Sequence, residues 1–156
     1  MTNLQHPDRD LLERWLEDIH VENYLCGHCD GLHISALHAL EGTVNSRIYL
    51  EDSILFFSTA LEIRPTALLP LAADLGRLNM EYPTLKIFPD VVDDNTPQLI
   101  VSASMLTSSR ITEDQFAEFV VNTLDGTRLL AEECLQLNYL FLDAEHLSPE
   151  GGRSLH

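Results

Sequence analysis

Lysine is almost missing from this chain: Lys86 is the only one in 156 residues, and the eight arginines are scattered from Arg9 to Arg153 without a cluster. Against 25 aspartates and glutamates, these nine cations leave a formal charge of −16. Phosphate backbones and anionic lipid both need concentrated Lys and Arg, so the composition argues against nucleic acid or a membrane surface as partner. Cysteine is scarce as well. Three of them, an odd number, do not make a disulfide framework in a chain of this length. No apolar run approaches the ~20 residues that cross a bilayer. Residues 1–10 carry neither the basic nor the apolar region of a secretion signal. The expectation is a cytoplasmic protein. Its acidity favours solubility and, if gathered on one face, a basic protein partner.

What is present is an ordinary globular composition, 45% hydrophobic. The length suits one domain that buries about two-thirds of its unfolded surface. No internal repeat is visible. Beyond Asp143 the chain turns polar, with Pro149-Glu150-Gly151-Gly152 near its end. The expected organisation is therefore a single domain over 1–142 and a flexible polar tail over 143–156.

Periodicity supplies the elements. After Pro7-Asp8, residues Leu11, Leu12, Trp15, Leu16 and Ile19 make one apolar stripe at helical spacing. Tyr24 to Leu37 is centred on Asp30-Gly31, a dipeptide that favours a type I′ hairpin turn. That turn pairs Cys29 with Leu32, His28 with His33 and Cys26 with Ser35. Leu25, Cys29, Leu32 and Ile34 would then face the core, and Cys26, His28, His33 and Ser35 the other side. Val44–Leu50 and the apolar run Ile54–Ile63 complete a four-stranded meander. Arg64-Pro65 ends the run, because proline cannot feed a sheet ladder and holds its predecessor extended. A helix follows with Leu68, Leu71, Leu75 and Leu78 on one side. Two more strands, Leu85–Phe88 and Leu99–Met105, flank an acidic tip at 90–97. Thr112-Glu113-Asp114-Gln115 is a capping box, with Ile111 and Phe116 placed as a hydrophobic staple, and it opens a long final helix. The class is α+β: an antiparallel sheet of five to six strands with three helices packed on it.

Chemistry-bearing residues are few. Cys26-Gly27-His28-Cys29 has the letters of a redox dithiol, but no helix or βαβ pattern follows it. In a regular strand, cysteines three apart point to opposite faces and cannot close a disulfide. Cys26, Cys29, His33 and His38 supply four potential zinc ligands, and Cys26, His28 and His33 would share a hairpin face. Neither spacing is a standard zinc-finger one, so the sequence assigns no metal, with Cys26, Cys29, His28, His33 and His38 the residues that would hold one. Asp90, Asp93 and Asp94 lack the glycine and terminal glutamate of a calcium loop. No G-x-S-x-G, Walker A or dinucleotide fingerprint occurs. Arg64 is placed to anchor a carboxylate such as Asp74. The expectation is no catalytic residue, no cofactor and no enzyme.

The run Glu62-Ile63-Arg64-Pro65-Thr66-Ala67-Leu68-Leu69-Pro70-Leu71-Ala72-Ala73-Asp74-Leu75 resembles the signature segment of the enterobacterial YbjN family. Trp15-Leu16, Cys26-x-x-Cys29 with Leu32-His33, Ile54-Leu55-Phe56, Asp93-Asp94-Asn95 with Pro97, and Gln115-Phe116-Ala117 extend the resemblance over nearly the whole chain. It marks Arg64, Pro65, Pro70, Asp74, Asp93, Asp94 and Asn95 as family positions. It implies a fold like that of class I type III secretion chaperones. It also implies a regulator acting through protein contacts, linked to stress tolerance, motility, exopolysaccharide production and virulence. A chaperone for a secreted or unstable client is the second role it implies, with a homodimer as one assembly. A metal- or redox-sensing switch through Cys26 and Cys29 is a third reading, drawn from the residues.

Overall fold

The computed structural model describes residues 3–91 and 96–142. The family positions Asp93, Asp94 and Asn95 and the expected tail at 143–156 lie outside them. Helix α1, Arg9–Asp18, is capped by Asp8, whose carboxylate accepts from the Leu11 N–H at 2.8 Å. Its stripe Leu11, Leu12, Trp15 and Leu16 is buried, as the periodicity requires. Strands β1, Asn23–Tyr24, and β2, Leu32–Ile34, lead to a short helix α2, Ser35–His38. Then come β3, Thr43–Glu51, β4, Ile54–Glu62, and a single 3-10 turn, Pro65–Ala67. Helix α3, Leu68–Glu81, strands β5, Lys86–Asp90, and β6, Gln98–Leu106, and helix α4, Glu113–Gln136, complete the order.

One antiparallel six-stranded sheet results, in the order β1-β2-β3-β4-β6-β5. Strand β4 lies inside it between β3 and β6, and alternates strictly: Leu55, Phe57, Thr59 and Leu61 are buried, their neighbours half-buried. Among the described residues, every buried strand residue except His33 falls on the face that also carries Ile48, Ile87, Leu99 and Val101. Helices α1, α3 and α4 pack on that face. Trp15, Phe57 and Phe116 centre one end of the core, and Leu71, Leu78, Leu99 and Leu130 the other. Helix α4, about 36 Å long at 1.5 Å per residue, contributes to both. Its start is as expected: Gln115 N–H donates to Thr112 Oγ1 and Thr112 N–H to Gln115 Oε1, with Ile111 and Phe116 both buried.

Two expectations are corrected. Tyr24 pairs with His33 and Asn23 with Ile34, so the connection is the whole loop 25–31 and not a two-residue turn at Asp30-Gly31. A Cβ at Gly31 would lie 3.1 Å from Arg47 Cδ on β3, so the arginine side chain would have to shift to admit one. The positive φ belongs to Gly27, at 82°. The strand also stops at Ile34, where three helices were expected and a fourth, α2, begins. Ile34 and Leu37 are both fully buried. Positions three apart share a side on a helix but not on a strand.

Candidate functional site

Loop 25–31 bends at Gly27 and brings the two cysteines to one side. Cys26 Sγ and Cys29 Sγ lie 3.4 Å apart, and Cys29 Sγ lies 3.5 Å from His33 Nε2. All three ligating atoms fall within 4.8 Å of one another. The opposite-face geometry expected of a strand is thus overturned, because these residues are not in one. The His28 N–H donates to Cys26 Sγ at 3.3 Å, while the His28 side chain stays exposed and outside the cluster. The sequence pairing of His28 with His33 is corrected accordingly.

The scaffold under the loop is the uncovered face of the sheet. Tyr24, His33 and Arg47 sit opposite one another across β1, β2 and β3, and the same row continues through Ser58, Ser102 and Lys86. His33 is nevertheless only 8% exposed, and Tyr24 stacks on it with ring centroids 5.1 Å apart. Helix α2 sets His38 beside both, 5.7 Å from the His33 ring and 5.8 Å from that of Tyr24. His38 Nε2 is buried without a hydrogen-bond partner among the described residues. Burial and then the charges of His38 and Arg47 push the His33 imidazole below its ordinary value, favouring the neutral ring. The Gly31 backbone N–H, followed by Cys26, holds the Cys29 thiol below its ordinary value. Cys134 is the opposite case: it is enclosed in the core, and burial pushes it up to about 12.

The family positions have architectural work. Arg64 precedes the 3-10 turn with φ −62°, Pro65 opens it, and the Arg64 N–H donates to the Tyr139 carbonyl at 2.9 Å. Pro70 lies exposed in the first turn of α3. Asp74 takes its bidentate guanidinium from Arg77, one turn away, at 2.8 and 2.7 Å. The expected role of Arg64 there falls to Arg77. The Tyr139 hydroxyl also donates to Asp74, and Arg77 continues to Glu133 at 2.7 Å, tying α3 to α4 and to the segment after it. The Arg77 hydrogen bonds, then Tyr139, hold the Asp74 carboxyl below its ordinary range. Asp74 and Glu81 flank Arg77 at three and four residues on the helix, a local signal that favours Arg77 over Arg64, whereas its contact with Glu133, 56 residues away, has none.

Beyond the Cys26 cluster the uncovered face carries an apolar and aromatic patch. Tyr49 stacks on Phe56 at 5.1 Å, Arg47 lies 4.6 Å over Tyr49, and Lys86 lies 5.2 Å from the Phe88 ring centre. Ile54, Ile100 and Leu106 extend it, Leu106 being 73% exposed, and Ser58, Ser102, Ser104 and the acids Glu51, Glu62 and Asp90 share the face. A separate cleft of about 450 Å³ lies between the start of α1 and β3, bordered by Asp8, Arg9, Asp30 and Tyr49. No helix among the described residues is long and apolar enough to cross a membrane.

Comparison with known proteins agrees with this architecture. The YbjN family model, described as "Putative bacterial sensory transduction regulator", matches residues 8–136. The proteins named "Uncharacterized protein YbjN" from Escherichia coli K12 and from Shigella flexneri are each 40% identical over 120 residues, 77% of this chain and 76% of theirs. The crystal structure of E. coli YbjN, "a putative transcription regulator", superposes with a TM-score of 0.86 at 34% identity, covering 90% of this chain and 99% of that one. An uncharacterized protein from Methanothermobacter thermautotrophicus shares the fold alone, at a TM-score of 0.51 and 9% identity over 84% of this chain and 98% of its own. With the family model spanning both core clusters and the signature run at the β4–α3 junction, this chain belongs to the YbjN family.

Proposed function

We propose that this protein is a non-catalytic cytoplasmic regulator that acts by docking an acidic, apolar segment of a protein partner on the uncovered face of its sheet. The observation that carries the reading is the one-sided sheet. Helices cover one face, while the other presents Tyr49, Phe56, Phe88, Ile100 and Leu106 around a central row holding Arg47 and Lys86. Aromatic residues and arginine are the side chains enriched where proteins bind one another. Charge selects the occupant. In a chain of net −16, the cations Arg47 on β3 and Lys86 on the edge strand β5 share one row of this face, with the acids Glu51, Glu62 and Asp90 towards its ends, so an acidic segment would meet positive charge along that row. A basic partner, expected from the overall charge, would instead seek the rest of the surface. Regulation of stress response, motility, exopolysaccharide production and virulence is the setting the family resemblance gives such a contact.

The test is a photo-crosslinking amino acid placed at Ser102 on the open face and, separately, at Met80 on the helical side. The expected result is a covalent adduct from Ser102 with a protein whose linked segment is rich in acids and apolar residues. Lys86→Glu should weaken that adduct at least several-fold while leaving the circular dichroism unchanged. Adducts formed only from Met80, or insensitive to Lys86→Glu, would overturn the reading. An adduct of Ser102 with a second copy of this chain would replace it with a homodimer, and one with a secreted client would replace it with a chaperone.

A further inference from the structure

We propose that Cys26, Cys29, His33 and His38 form a tetrahedral zinc site that staples loop 25–31 and α2 to the edge of the sheet. The proposal is independent of the docking reading, since it concerns metal and not partner.

Interatomic distances are the first argument. Zinc–sulfur bonds of about 2.3 Å and zinc–nitrogen bonds of about 2.0 Å at tetrahedral angles place two sulfurs roughly 3.8 Å apart and a sulfur and a nitrogen roughly 3.6 Å apart. The observed separations are 3.4 Å for Cys26 Sγ to Cys29 Sγ and 3.5 Å for Cys29 Sγ to His33 Nε2. Two imidazoles on one such ion have ring centres roughly 5 Å apart. Those of His33 and His38 are 5.7 Å apart, and since the His38 nitrogens are not within 4.8 Å of all three other ligand atoms, the His38 ring must move inward to complete the shell.

The surroundings provide the second argument. A buried imidazole nitrogen without a partner is destabilising, and His38 Nε2 is such an atom among the described residues. Ligation would remove that cost. Coordination through His33 Nε2 puts the ring proton on Nδ1, which is buried without a hydrogen-bond partner among the described residues and has Asn45 as a nearby polar side chain that could turn to accept it. The His28 N–H donates to Cys26 Sγ, so the peptide chain already orients a ligand sulfur, with Gly27 in the left-handed conformation that turns the chain between the two cysteines.

The choice of metal follows from the donors. Two thiolates and two imidazoles in a tetrahedral array suit zinc and do not suit magnesium or calcium, which take oxygen. The benefit to the fold is specific. Strands β1 and β2 span only two and three residues, lengths that give little ladder to hold an edge. Zinc binding there would be folding energy for the edge alone, because the remaining core is built elsewhere.

The test uses the full chain, purified without a histidine tag, reduced and stripped with chelator, then titrated with cobalt(II) and with zinc in competition. The expected result is one ion per chain, with the visible absorption of tetrahedral cobalt and the thiolate-to-cobalt charge-transfer band. Cys26→Ser and Cys29→Ser should each abolish the charge-transfer intensity expected for two thiolates. His38→Ala should weaken zinc binding by about tenfold or more. Cys134→Ser, a buried thiol remote from the loop, should bind as the parent does. Circular dichroism, which reads the large helices, should be the same for all four. An octahedral cobalt spectrum, binding unaffected by the loop variants, or a fully reduced protein that takes up no metal would overturn the proposal. So would a chain in which Cys26 and Cys29 pass to a disulfide with no metal-binding state of the reduced form.

Discussion

Ser46 and Thr59 are two hydroxyls in the middle of an apolar core. They face each other across β3 and β4, fully buried, and their oxygens are 2.9 Å apart. Each is satisfied by the other, so their contribution is a pairwise one. Thr59→Val keeps the shape but strands the Ser46 hydroxyl, and it should cost about 1–3 kcal/mol of unfolding free energy. The double variant Ser46→Ala/Thr59→Val should recover most of that loss. Urea midpoints of the parent and the two variants check this, and a double variant no more stable than Thr59→Val would show that the hydroxyls are satisfied elsewhere. Neither residue drew attention in the sequence, where Ser and Thr inside strands read as neutral. Cys26 and Cys29 were visible there as a motif, but their arrangement was not. Strand geometry separates them, and only the turn at Gly27 reunites them.

Capping boxes and amphipathic stripes are local signals, and the elements they mark formed as read. Helix α4 is capped by Thr112 because its first-turn donors are satisfied within four residues, and α1 buries four of the five side chains its spacing selects, with Ile19 half-buried at its C-terminal cap. The β2–α2 region was misread because a strand and a one-turn helix differ there only in how Leu37 reaches the core. An element-level device with no sequence signature is the Asn79 side chain of α3. Its amide donates to the Ile87 carbonyl and accepts from the Ile87 N–H, both at 3.0 Å, so it pairs with the free edge of β5 as a neighbouring strand would. With Lys86 and Pro89 on the same strand, it closes an edge that could otherwise template aggregation. Asn79→Ala should cost about 1–3 kcal/mol by leaving both Ile87 groups unpaired. It should also raise the rate of concentration-dependent light scattering near the unfolding midpoint. Unchanged scattering with the expected stability loss would confine Asn79 to a packing role.

A paired carboxylate and two groups raised by burial make the protein's stability sensitive to pH at both ends of the scale. Asp74 is held below its ordinary 3.8 by Arg77 and Tyr139. A depressed carboxyl contributes stability that is present above the unfolded value and lost as pH falls through the folded one. Acid should therefore loosen the α3–α4 tie first, and Asp74→Asn should flatten the melting temperature against pH below about 4. At the alkaline end, burial and Glu133 push Tyr82 up to about 12, and burial pushes Cys134 to about the same value. Raised groups act in the other direction. Their contribution is complete below the ordinary 10.0 and 9.0 and is lost as pH climbs towards 12. Melting temperatures of the parent, Asp74→Asn and Tyr82→Phe across this range check both arms. A parent acid limb retained in full by Asp74→Asn would assign it to other carboxylates.

From residue order alone follow the α+β class, the meander, the capped final helix and the signature run at the β4–α3 junction, because periodicity, caps and proline breaks act within a few residues. Three features needed the chain to close on itself. The sheet had to place β6 between β4 and β5 before one face could be covered and the other left open. The Asp74–Arg77 pair, made within one turn of α3, had to meet Glu133 on α4 and Tyr139 beyond it. Loop 25–31 had to fold back over β2 before Cys26, Cys29 and His33 could share one small volume. Each depends on contacts between residues distant in sequence or on an irregular turn, and neither carries a period that can be read along the chain.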